Sequence, residues 1–463
     1  MDPPNIKPIL DSMNPWWSTG KVPEWDAPAF KRRELADFLL AIERERIPVL
    51  AGLRRTGKTT MVHQAIAELI ARGVEPRRIL YATFDDFVLR AMGPQVFQTI
   101  LDARVETVGT TTHERTYAFF DEVQNIPDWA RALKVIWDRK GGVRMVATGS
   151  AGLLIRGAVG ESLAGRAETT DLGPMELGDW AALLGVKVKP NTLEALLGPG
   201  GPEANLGGWL EVESSRKLLL PLLGQYILKG GLPEAALDND LALLQLHLYE
   251  DVVDRVILRD IPLLYGVKQP GKLGRLLVII ADKSGLPLTV EGLKTAVTLR
   301  RETVEDYLTY LMSSRIIIEL LSYSGSHYAA LKRARKYYIA DTGLQNAIMR
   351  RDRRALADES VMGTLAEQAV AIHLNRLARS RWERLSYAPA HGGSEVDFVL
   401  ETHEGPLPIE CKYRSAVRDK EVAVLDRYRE GIGARHAIMV TREELGRRDE
   451  CVLVTLWMFL IAE

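Results

Sequence analysis

The chain has 463 residues, with 60 Lys+Arg against 61 Asp+Glu and a formal net charge of −1, so any contact with nucleic acid has to come from a local basic patch. Hydrophobic residues make up 46% and charged residues 26%, an ordinary balance for a folded protein with material for roughly three domains. Cys411 and Cys451 are too few for a disulfide framework or a zinc ligand set. With no basic-then-apolar start and no apolar run long enough to span a bilayer, the expectation is a cytoplasmic protein with no membrane partner.

In chain order, residues 1–45 are rich in Trp and Pro, with Trp16, Trp17 and Trp25, and pass into a charged helix around Arg32 to Arg46. The apolar run from Ile47 to Ala51 predicts a buried strand, and a helix from about Thr59 to Arg72 follows. Further buried strands are expected at 79–84, 117–120, 144–148 and 169–172, most of them separated by helical patterns. That alternation predicts an α/β fold with a mostly parallel sheet covered on both faces. Residues 175–265 read as mainly helical, 266–350 as helices followed by a small β element, and 351–463 as mixed α/β.

Between the first strand and helix, Gly52-Leu53-Arg54-Arg55-Thr56-Gly57-Lys58-Thr59 fits the pattern G-x-x-x-x-G-K-S/T. Gly52 and Gly57 let the backbone curl until its N–H groups face phosphate oxygens, Lys58 brings charge to the β and γ phosphates, and Thr59 can ligate Mg²⁺. The helix that starts here adds its positive end, and Arg54, Arg55, Thr56 and Thr60 complete the expected ATP-binding segment. The strand Tyr117 to Phe120 runs into Asp121-Glu122, with Asp121 expected to hold Mg²⁺ through water and Glu122 to polarise the attacking water. The next strand ends in Thr148-Gly149-Ser150, where Ser150, with Thr148 second, could touch the γ phosphate; a plain turn is the competing reading. Arg166 is the candidate for an arginine that reaches a neighbouring subunit's nucleotide in a homo-oligomer, against an ordinary surface arginine.

Further on, Thr289 to Lys294 opens a short amphipathic helix, a turn lies at 299–301, and a second helix spans about Glu302 to Ser313. A strand from Ile316 to Ser322 and a turn at Gly325 complete an order that resembles a winged helix. Residues 266–350 hold 13 Lys+Arg against 7 Asp+Glu, with a basic run at Lys332-Arg333-Ala334-Arg335-Lys336, so DNA is the expected partner. Glu302, Glu305 and Asp306 on the second helix oppose that reading, and a packing module with a solvated basic face is the alternative.

The last part carries Glu367 in a helical stretch, Asp397 in an alternating strand, and Glu410 and Lys412 on one face of another. Such carboxylates could hold one or two Mg²⁺ or Mn²⁺ ions, Asp397 and Glu410 above all, with Lys412 orienting a water for phosphodiester cleavage. The pattern Asp397…Glu410-Cys411-Lys412 resembles the PD-(D/E)XK nuclease superfamily, and the separations resemble those of archaeal Holliday-junction resolvases, which would make branched DNA a substrate. Against cleavage, residues 351–463 hold 17 Lys+Arg and 19 Asp+Glu, an acidic balance for a DNA cutter.

Together these parts resemble a family of archaeal and bacterial AAA-type ATPases with a restriction-endonuclease-like C-terminal domain. The resemblance includes Asn14-Pro15-Trp16-Trp17, Phe120-Asp121-Glu122-Val123-Gln124, Leu163-Ala164-Gly165-Arg166, Gly230-Gly231-Leu232-Pro233 and Tyr338-Ile339-Ala340-Asp341-Thr342-Gly343-Leu344. It implies a P-loop AAA+/RecA-like core over 1–174, a helical lid over 175–265 near Gly230–Pro233, a winged helix over 266–350 and a nuclease-like domain over 351–463. Two functions follow: an ATP-dependent DNA-processing enzyme, or an ATP-driven switch whose nuclease-like domain binds without cutting. A chaperone without nucleic acid is a third and weaker reading, which the basic 266–350 segment opposes.

Overall fold

Ile47–Ala51 forms strand β1, buried at every position, as an apolar run between covered sheet faces must be. The computed structural model describes residues 5–108, 115–139, 142–149, 163–188, 206–324, 330–389 and 395–462. They divide into two units, Met1–Gly173 and Pro174–Glu463.

In the first unit β1 joins β2 (Ile79–Thr83), β3 (Thr116–Asp121), β4 (Val143–Gly149) and β5 (Ala167–Asp171). All four pairings are parallel, in the order β2-β3-β4-β1-β5. Strand alternation splits β3 between two cores. Ala118 and Phe120 pack with Leu80, Phe84 and Phe97 on one side, while Tyr117 and Phe119 pack with Phe38, Val62 and Ile66 on the other. Each buried phenylalanine contributes about 1.5–3 kcal/mol. Helix α1 (Glu34–Glu43) and helix α2 (Lys58–Ala71) supply the second core; helix α3 (Trp129–Asp138) supplies part of the first.

The Trp-rich start of the chain has a clear use. Strand β2 is an edge, and an exposed edge offers unpaired N–H and C=O groups. Asn14 closes it like a short strand, accepting from the Tyr81 N–H at 2.7 Å and donating to the Tyr81 carbonyl at 2.9 Å. The indole N–H groups of Trp16 and Trp17 both donate to the Ile79 carbonyl.

The second unit contains helix α4 (Leu206–Lys229), α5 (Pro270–Asp282), α6 (Val290–Val297), α7 (Arg301–Ser313), α8 (Thr342–Met349), α9 (Glu359–Arg381) and α10 (Asp419–Gly431). Its strands are β6 (Pro287–Leu288), β7 (Ile317–Ser322), β8 (Arg335–Ile339), β9 (Arg384–Ala388), β10 (Val396–Thr402), β11 (Gly405–Lys412), β12 (Ala437–Thr441), β13 (Gly446–Arg448) and β14 (Cys451–Thr455). These form one mixed sheet in the order β13-β14-β12-β11-β10-β9-β7-β8-β6. The small β element of residues 266–350 is therefore continuous with the C-terminal sheet, joined where β7 runs parallel to β9 at Leu321 and Ser386.

Two of the short motifs meet here. Asp341 caps α8 by accepting from the Leu344 N–H at 2.9 Å, and it also accepts from the Gly231 N–H at 2.6 Å. A Cβ on Gly343 would run into the Lys229 carbonyl, so Gly230-Gly231 and Asp341-Thr342-Gly343 form one close backbone crossing.

Candidate ATP site and the acidic set of the second unit

The loop Gly52–Gly57 leaves β1 at its carboxyl end and enters α2, the place where open α/β sheets bind ligands. Its shape depends on two glycines. A Cβ on Gly52 would collide with the Leu172 carbonyl oxygen, and Gly57 sits at φ +90°. Arg55 also takes a left-handed conformation, φ 62°. The Thr56 hydroxyl donates to the Leu53 carbonyl at 2.9 Å, closing the turn from inside. Arg32, buried just before α1, donates to two carbonyls at once, Thr56 at 3.2 Å and Gly173 at 2.8 Å.

Lys58 and Thr59 open α2. The Lys58 ammonium, buried under the loop, donates to the carbonyls of Gly52 at 3.3 Å and Leu53 at 2.9 Å. The Thr59 hydroxyl donates to the Asp121 carboxylate at 2.8 Å, bringing together residues 62 apart in the sequence. Thr60 follows in the same helical turn and is half-buried. Asp121 ends β3, buried, and is held by three more donors: the Tyr81 hydroxyl at 2.9 Å, the Thr148 hydroxyl and the Glu122 N–H at 3.1 Å. Tyr81 remains a donor, because burial first and the charge of Asp121 second push its ionisation well up.

Glu122 takes a left-handed conformation, φ 54°, and its carboxylate accepts from the Gln124 amide. Burial raises its pKa; Asp121 adds to the rise, while Lys58 and Arg54 oppose it. Thr148, the second choice on its strand, lies against Asp121 and 3.5 Å from the Glu122 N–H. Ser150, the first choice, lies outside the described residues. The loop turn at Gly52–Gly57 and the Thr59–Asp121 pair fit a nucleotide with Mg²⁺. The role of Tyr81 escaped the sequence reading; only its place in an expected strand hinted at it, whereas Asn14 stood in a motif whose structural use the sequence did not show.

Arg166 stands at the other end of the sheet. Its carbonyl accepts from the Ile47 N–H at 2.7 Å, at the start of β1, whereas the loop follows the end of β1. Its guanidinium pairs with Asp138 at 3.0 Å and lies 5.5 Å from the Trp137 ring centre.

In the second unit Glu367 on α9, Asp397 on β10, and Glu410 and Lys412 on β11 do converge. Strands β10 and β11 pair from Phe398 and Ile409 onward. Just past that point the carboxylates take over the ladder: Glu410 accepts from the Asp397 N–H and Asp397 from the Cys411 N–H, both at 3.0 Å. Lys412 donates to Glu410. The Tyr338 hydroxyl donates to Glu367 at 2.8 Å.

The ammonium of Lys336 was not anticipated here. Alternation along β8 turns Lys336 and Tyr338 to one face, and Lys336 is 1% exposed, 2.5 Å from Glu395 and 3.6 Å from both Glu367 and Asp397. Its neighbour Arg335 pairs with Glu319 at 2.8 Å. The basic run expected to face DNA therefore turns Lys336 into the protein and ties the half-buried Arg335 to Glu319. Burial, then Asp397, holds Glu367 and Glu410 above the ordinary carboxylate range. Burial works against the Lys336 charge, but Glu367, Asp397 and Glu395 outweigh it and keep the ammonium protonated. Among the described residues no group of three or more His, Cys, Asp or Glu is arranged to hold a metal ion. The set does not fit the Mg²⁺ or Mn²⁺ expected from its spacing.

Comparisons with known proteins find similarity over most of the chain. A family described as "AAA domain" matches residues 44–180, and two domains of unknown function match 220–355 (DUF8612) and 362–459 (DUF4143). An uncharacterized protein of Methanocaldococcus jannaschii is 25% identical over 374 residues, 80% of this chain and 75% of its own. One from Haemophilus influenzae is 24% identical over 308 residues, 65% of this chain and 68% of its own. Among solved structures, C. elegans PCH-2 matches 32% of this chain at 14% identity and TM-score 0.24, and the S. cerevisiae Hsp104–ADP complex matches 77% at 14% and 0.30. This chain spans 44% of the length of each of those two. Among the described residues no helix is long and apolar enough to cross a membrane. Residues 44–180 of this chain form an AAA-type P-loop ATPase domain.

Proposed function

We propose that this protein binds ATP between Gly52–Thr59 and Asp121–Glu122 and hydrolyses it. The observation that carries this reading is the Thr59 hydroxyl 2.8 Å from Asp121, just after a loop whose tight turn depends on Gly52 packed against the Leu172 carbonyl and on Gly57 at positive φ. Thr59 and Asp121 would hold Mg²⁺, which when bound supplies positive charge to the phosphates. Lys58 places its ammonium against the β and γ phosphates. Glu122 orients the attacking water and receives its proton, and burial, by raising its pKa, makes it the stronger base for that step. Thr148 keeps Asp121 and the Glu122 peptide in place. Replacing Lys58 by Ala should abolish ATP binding and turnover; an unchanged turnover rate would refute the assignment.

The target we propose is DNA. The order α5-β6-α6-α7-β7-β8 supports a winged helix, with the helical stretch before it acting as a lid. The arrangement of α9, β10 and β11 supports a nuclease-like domain, and a homo-oligomer would let Arg166 serve a neighbour's nucleotide. Of the two DNA readings, the ion pairs of Lys336 favour an ATP-driven switch that grips DNA without cutting it. Labelled duplex, single-stranded and four-way-junction DNA, with Mg²⁺ or Mn²⁺ and with or without ATP, separates them. Binding that changes with ATP and leaves the strands intact supports the switch. Cleavage lost on replacing Asp397 by Ala would establish the processing enzyme.

A further inference from the structure

The acidic set of the second unit already contains its cation. Lys336 reaches it from β8, a strand that belongs to the same sheet as β10 and β11 and so has a fixed position relative to both. Its ammonium is 1% exposed and stands within 3.6 Å of three carboxylates, those of Glu367, Glu395 and Asp397. The Tyr387 ring lies 5.5 Å away and closes part of the surroundings with its π face. The remaining oxygens of Asp397 and Glu410 have tasks of their own. One oxygen of Asp397 and one of Glu410 replace the missing backbone partners at the end of the β10–β11 ladder, and the second oxygen of Glu410 accepts from Lys412.

Mg²⁺ needs close oxygen ligands in near-octahedral order, and a dication beside a buried ammonium meets like-charge repulsion in a poorly screened interior. We infer that Lys336 is the resident cation of this set: the native protein binds no divalent metal at Glu367, Glu395 and Asp397, and with that one ammonium gone the three side chains, released from it, draw in around a divalent cation. The set then loses its positive partner, and an oxygen-rich pocket with its ammonium gone takes a hard cation such as Mn²⁺, which displaces any proton held there. The role of the set in the native protein is to lock β8, β10 and α9 together.

The test is a Mn²⁺ titration of the full nucleotide-free chain, followed by electron paramagnetic resonance of the free ion. Wild type and Asp397→Asn should give the same curve. Lys336→Met should gain one Mn²⁺ at least tenfold tighter than any wild-type site, and adding Asp397→Asn should remove it. If Lys336→Met does not fold alone, Mn²⁺ should restore its folding, and failure to do so overturns the inference. It is equally overturned if folded Lys336→Met binds no more Mn²⁺ than wild type, or if wild type binds a Mn²⁺ that Asp397→Asn abolishes. No nucleotide is present, so either failure leaves the ATP-site assignment untouched.

Discussion

Single side chains and single hydrogens decide the ATP site. Gly52 has no room for a methyl group, because the Leu172 carbonyl fills that space. Gly52→Ala should therefore cost about 1–3 kcal/mol of stability in the first unit, the usual range for overpacking, and weaken ATP binding at least tenfold. Thermal unfolding and nucleotide binding on the same sample check both. Glu122 is a different case, since its proposed task is proton transfer and not shape. Glu122→Gln should leave ATP affinity within about threefold and lower turnover by about 10²-fold or more, the usual scale for a general base. A loss confined to affinity would assign Glu122 to binding instead.

At the scale of elements, strand β1 and the loop after it were readable because an apolar run, a glycine pattern and a helix follow one another without interruption. The β2, β3 and β4 runs were readable for the same reason, within a residue or two at their ends. Strand β8 was not. Lys336 sits in a basic run, and composition gave that run to solvent; only the pairing of β8 with β7 shows that alternate residues turn inward. Glu395, one residue before β10, was invisible for the same reason, as its partner comes from 59 positions earlier in the chain. The four acidic and basic residues of the nuclease-like pattern were found by spacing, but spacing could not reveal the ion that already neutralises them. The helix α9 carries a consequence for pH. Glu367 is pushed up to about 8 from 4.5 by burial and then by Asp397, so the folded state keeps a proton there that the unfolded chain has released. Stability of the second unit should fall as pH rises from about 4.5 to 8. Glu367→Gln should flatten that slope in urea-unfolding midpoints measured across the range; an unchanged slope would place the pH response elsewhere.

For the whole molecule, two units with separate sheets predict an uneven response to nucleotide. ATP with Mg²⁺ at about 100 times its dissociation constant should stabilise the binding unit by about 2.7 kcal/mol. Hydrogen exchange should slow most in β1 and β3, with a smaller change in the nine-stranded sheet. Equal slowing in both sheets would mean that the chain unfolds as one cooperative body.

Arg32 binds the Thr56 carbonyl in the phosphate loop and the Gly173 carbonyl, the last residue before the division at Pro174. The single guanidinium thus ties the phosphate loop to the end of the first unit's chain. Linkage is reciprocal: if filling the loop strengthens its hold on Gly173 by some factor, then tension on Gly173 must change ATP affinity by that same factor. A pull on the Gly173 backbone would then be read at the phosphates as a change in dissociation constant.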